Sequence, residues 1–148
     1  MNEHRIPRVA LILGLAGLIP FVASAILSLS NDASAFGLRA LATYAAVILS
    51  FLGGVRWGVL VVESDRFDHF GPAVVSVLPS VLAWFSLLLP TVPMLGLLLA
   101  GLLAQYLIDS GITPVRFWNH FPQWYPRLRL LLSAGAIICV SVGLYSAM

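Results

Sequence analysis

The sequence predicts an all-α integral membrane protein, a five-transmembrane-helix bundle with its N-terminus inside and an aromatic interfacial segment between helices 4 and 5. Two observations predict it. Of 148 residues, 60% are hydrophobic and only 9% are charged, against about 25% charged in an average soluble domain. A water-soluble fold of this length would be left with large apolar patches. The apolar residues also gather in five stretches, each near the roughly 20 residues that a helix needs to cross hydrocarbon. The reading is one polytopic membrane domain over residues 1–148.

The first span runs from Val9 to Leu29, after Arg5 and Arg8. The basic flank and the small residues Ala23 to Ala25 fit a cleaved signal peptide loosely, but the apolar run continues past that point and favours a retained span. The second span, Leu38 to Val62, is closed by "ESDRFDHFG". The third is Pro72 to Leu89. "PTVP", Pro90 to Pro93, is expected to form a tight hairpin turn, because proline cannot continue the helical hydrogen-bond ladder. The fourth is Met94 to Ile108 and the fifth Leu128 to Tyr145. Pro20 and Pro79 fall inside the first and third spans, where kinks are the expected consequence.

Between the last two spans, Ser110 to Leu128 carries Phe117, Trp118, Phe121, Trp124 and Tyr125 among Pro114, Pro122 and Pro126. Prolines this dense forbid one long helix. Aromatic side chains this dense suit the headgroup layer, with one apolar and one wet neighbour. Trp57, Trp118, Trp124 and Tyr125 are the expected interfacial aromatics. Arginine placement sets the orientation. With the N-terminus inside, Arg5, Arg8, Arg66, Arg116, Arg127 and Arg129 fall on the inner side and only Arg39 on the outer, a positive-inside pattern.

Every fourth residue of the second span is small: Ala42, Ala46, Ser50, Gly54 and Gly58. Helices in lipid associate through close backbone approach, which small residues permit. Gly96, Ala100 and Ala104 repeat the device in the fourth span, and Gly135, Cys139 and Gly143 in the fifth. Packing within the bundle and docking of a second copy or another subunit both fit such a stripe.

The stretch "FLGGVRWG", Phe51 to Gly58, places Arg56 inside the second span. It stands seven residues before Glu63, about 10 Å along a helix, so it starts within hydrocarbon near the inner edge. Arg56 and Gly54 differ by about 200° around the axis, so the arginine faces away from the stripe. Three readings stand: a guanidinium reaching to the surface, a pair with a carboxylate of another helix, or a site for an anionic group. Gln105 and Asp109 reach the same level on the fourth span. The candidate inner-edge polar cluster is therefore Arg56, Gln105 and Asp109, with Glu63 and Arg129 at the same edge.

The sequence carries no recognisable reaction. It has no HExxH, phosphate-loop or dinucleotide pattern. His4, His69 and His120 fall outside the spans, which leaves no axial haem ligand and no metal site. Catalytic residues, cofactors and metal are expected to be none. A net charge of +2 and eight scattered arginines make no nucleic-acid face. The single Cys139 cannot build a disulfide framework within one chain.

Several pieces in order resemble the family of unknown function numbered 3429: "GLAGLIPF" from Gly14, "YAAVILSFLGGVRWG" from Tyr44, "SVLPS" from Ser76, "QYLID" from Gln105 and "WYPRLRLLLS" from Trp124. The resemblance implies a small bacterial inner-membrane protein, multi-pass, with mitochondrial relatives. It implies no catalytic residue. The expected function is a non-enzymatic accessory or assembly component of a larger membrane complex. The alternative is a small-molecule or lipid binder, quinone- or porphyrin-like, with a small transporter third. Membrane lipids are the expected partners, with other membrane-protein subunits or a second copy as candidates and no nucleic acid.

Overall fold

In hydrocarbon a backbone N–H or C=O has no water to bond, so an apolar stretch satisfies its polar groups internally by becoming a helix. A computed structural model describes residues 5–62, 70–110 and 122–148, and among them there is helix and no strand. The order is α1 (Arg8–Ser28), α2 (Ser34–Val62), α3 (Phe70–Ser86), α4 (Thr91–Asp109) and α5 (Tyr125–Ser146). α1, α2, α4 and α5 are long and apolar enough to cross a membrane. α3, at 17 residues, is the shorter one. At 1.5 Å per residue it reaches about 26 Å, against a hydrocarbon core of about 30 Å.

Helix boundaries move by three or four residues at several ends, and α2 starts at Ser34 rather than Leu38. α3 stops at Ser86 rather than Leu89. Leu87, Leu88 and Leu89 close the turn with amide bonds to the carbonyls of Trp84, Phe85 and Ser86. Pro90 is the cap of α4, and Pro93 lies within its first turn. "PTVP" is therefore a helix start and not a hairpin turn. First-turn amides have no intrahelical acceptor, so proline there removes no bond. Pro20 and Pro79 lie inside α1 and α3, which continue past them.

α2 touches all four other helices, and α3, α4, α5 and α1 stand around it as a row of successive neighbours. Its inward seam is Leu41, Ala45, Leu49, Gly53, Arg56 and Leu60, spaced by threes and fours as a helix face requires. Leu41, Ala45 and Leu49 meet Phe21 of α1, Leu95 and Leu98 of α4 and Val140 of α5 in one core. Glycine permits the closest approaches. A Cβ at Gly53 would collide with the Ser76 carbonyl of α3, and one at Gly143 with Leu41. Tyr44 donates to the Gly17 carbonyl at 2.8 Å, tying α2 to α1. The outward faces are apolar, with Ile12, Phe51, Trp84 and Ile138 exposed, as lipid contact requires.

Candidate functional site

Three helices bring charge to one point. Arg56 enters from α2 because the seam that buries Leu49 and Gly53 reaches it after seven and three residues. Asp109 is the last residue of α4 and Arg129 sits in the second turn of α5. Arg56 is 2% exposed and Arg129 8%. Arg56 Nη2 lies 2.5 Å from Asp109 Oδ1 and donates at 3.3 Å to the Gln105 carbonyl. Arg129 Nε donates to Asp109 Oδ2 at 2.9 Å, and its Nη1 donates to Ser133 Oγ at 3.0 Å. One carboxylate is thus shared by two guanidinium groups. A buried charge is tolerated only when paired, so the arrangement fastens α2, α4 and α5 at one level.

Arg129 Nη2 stands 2.7 Å from Asp109 Oδ2, and the Tyr125 side chain is hydrogen-bonded with Arg129. A guanidinium has five N–H donors in a planar fork that matches carboxylate and phosphate. Tyr125 stands close enough to feel the charges of Arg129, Asp109 and Arg56. Beside the cluster is a cavity of about 310 Å³ between α4 and α5, lined by Tyr106, Ser110, Arg127 and Arg129 among others. Arg127 is exposed at its rim. On the other side of Arg129 a crevice of about 180 Å³ opens between α1, α2 and α5.

The sequence-predicted residues divide. Arg56, Gln105, Asp109 and Arg129 come together, although Gln105 contributes its backbone carbonyl; its side-chain Oε1 is buried without a hydrogen bond among the described residues. Glu63 and Trp118 lie outside the described residues, as do His4, His69 and His120. Trp57 is 43% exposed on the outward side of α2. Trp124 and Tyr125 are half-buried at the head of α5, their rings 6.2 Å apart.

The small-residue stripe does not act as one face. Ala42 and Ala46 are buried in the core and Ser50 is half-buried, but a Cβ at Gly54 or Gly58 would meet nothing within 4 Å. Each four-residue step overshoots a full turn by about 40°, so the stripe turns about 160° from Ala42 to Gly58. Ser133 was missed by sequence reasoning. The signal was its position four residues after Arg129, one helical turn away on the same face. Among the described residues no three His, Cys, Asp or Glu side chains are grouped to hold a metal.

Comparison with known proteins agrees with a membrane protein. The family described as "Protein of unknown function (DUF3429)" matches residues 6–145. Transmembrane protein 69 of Xenopus tropicalis is 37% identical over 138 residues, which cover 88% of this chain and 51% of that protein. Transmembrane protein 69 of Mus musculus is 31% identical over 147 residues, covering 93% and 56% respectively. The chain spans about half the length of these relatives. No solved structure matches it. A match over nearly the whole chain, with relatives at this identity, means that the protein belongs to the DUF3429 family.

Proposed function

We propose that this membrane protein acts by binding and not by catalysis, and that its site is the Arg56–Asp109–Arg129 cluster with Arg127 at the rim. The ligand is an anionic group at the inner membrane edge, a phosphate or carboxylate head. The observation that carries the reading is Arg129, buried, sharing its carboxylate with Arg56 and lining, with the exposed Arg127, a cavity at the end of α4 and the start of α5. Two arginines at one mouth favour an oxyanion that accepts from both. The setting proposed is a bacterial inner membrane crossed five times, N-terminus inside, with Trp124 and Tyr125 at the inner headgroup layer; the arginine bias supports that orientation. The test is native mass spectrometry of the purified protein titrated with phosphatidylglycerol or phosphatidylcholine. Phosphatidylglycerol should be retained preferentially, and Arg129→Gln should remove the preference. Equal retention of both lipids by the unaltered protein would overturn the reading.

A second reading, an accessory component of a larger membrane complex, is favoured by a different observation. Gly54 and Gly58 keep an outward strip of α2 that none of the described residues covers. Close helix approach is what such a strip permits. Co-purification of a stoichiometric membrane subunit that Gly58→Leu displaces would favour it.

A further inference from the structure

The second space beside Arg129 says what kind of anion the site holds. We infer that the crevice between α1, α2 and α5 seats one acyl chain of an anionic phospholipid whose head is held by Arg129. The inference rests on the anion-binding reading above and adds the hydrocarbon half of the ligand. Arg129 and Ser133 form the polar end of this crevice, and Phe21 and Ala136 are buried among its apolar walls. Among the described residues Arg129 alone lines both this crevice and the cavity at the inner edge. Its wall therefore changes from cationic to apolar over the seven residues from Arg129 to Ala136, about 10 Å of helix. A lipid shows that same sequence of polarity from phosphate to chain.

Water is a poor occupant of the apolar part, since an internal water needs two to four polar partners. An empty crevice leaves its lining without dispersion contacts. The volume, about 180 Å³, is close to that of apolar protein cavities of about 150 Å³ that take up benzene. It thus accommodates a segment of a chain and not a whole lipid. Leu13 and Phe51, 67% and 64% exposed, stand at its mouth. The crevice opens on the outward apolar surface, so a bilayer lipid reaches it sideways and leaves its second chain among its neighbours. A membrane phospholipid meets these conditions because its phosphate anchors at the level of Arg129 while one chain turns inward.

Phosphatidylglycerol carrying a diazirine along one chain tests this on the unaltered protein. Photolysis should label Ile48 to Leu52 and Leu132 to Ala136. Labelling confined to outward positions such as Ile12 and Ile138 would overturn the inference. Ala136→Phe, which fills the crevice, separates the two readings. It should weaken phosphatidylglycerol retention on the order of tenfold, about 1.4 kcal/mol, and leave retention of glycerol phosphate unchanged. Arg129→Gln should reduce both. If Ala136→Phe leaves the lipid bound while Arg129→Gln releases it, the crevice assignment falls and the anion site stands. If neither substitution matters, both fall. Recovery of a free fatty acid in place of phospholipid from the purified protein would overturn the phospholipid assignment.

Discussion

Asp109 carries the largest share of the inner-edge arrangement, because among the described residues it is the carboxylate set between two buried guanidinium groups. Breaking a buried pair by removing one partner leaves an uncompensated charge and costs about 3–5 kcal/mol. Asp109→Asn removes the carboxylate that Arg56 and Arg129 share. It should therefore lower stability by at least that much, whereas Ser133→Ala, which removes one neutral acceptor from Arg129, should cost about 1 kcal/mol. Thermal unfolding in a mild detergent reads both, and equal losses would mean that the carboxylate is not the joint of the cluster. The level shared by Arg56, Gln105 and Asp109 was legible in the sequence from depth alone. The use of the Gln105 backbone instead of its amide was not, since spacing places a residue at a level without choosing which of its atoms meets the neighbour. The place of Glu63 lies outside the described residues.

At the scale of the element, α2 shows why a pattern can be read correctly and still be assigned to too few neighbours. Small residues every fourth position suggest one packing face, but the helix turns beneath them. The bundle takes Ala42 and Ala46, and then Gly53 rather than Gly54 makes the contact with α3. Adjacent glycines thus predict opposite outcomes. Gly53→Ala places a methyl against the Ser76 carbonyl and should destabilise by about 1–3 kcal/mol, the usual cost of overpacking. Gly54→Ala meets open space and should be neutral or stabilising by up to about 1 kcal/mol, as alanine limits the freedom of the unfolded chain. Matching unfolding curves for the two variants would show that the α2–α3 contact is not backbone-close. The end of α3 was unreadable for a related reason. Leu87 to Leu89 are as apolar as the helix before them, and the run ends only at Pro90, the cap of α4.

At the scale of the whole molecule, hydropathy located the five helices found among the described residues, since in lipid an apolar run has no alternative to helix. Which of them cross is a question of length, and α3 is the decisive one. If it crosses, Asp32 and Leu88 lie outside and Gln123 lies inside. In a Cys139→Ala background, Asp32→Cys and Leu88→Cys should react with an impermeant maleimide on intact cells and Gln123→Cys should not. Protection at Leu88 together with labelling at Gln123 would leave α3 on one side and reverse α4 and α5.

If the charged cluster binds an anion, and is not only a clamp between helices, stability and ligand affinity pull against each other there. Asp109 competes with any anion for Arg129, so the two roles respond in opposite directions when it is neutralised. The most direct measurement is phosphatidylglycerol affinity of Asp109→Asn beside its melting temperature, in the same detergent. An anion site at Arg129 should give tighter lipid binding in a less stable protein, with the lipid restoring part of the lost stability. Affinity that falls together with stability would contradict it, and would make the cluster a structural joint alone.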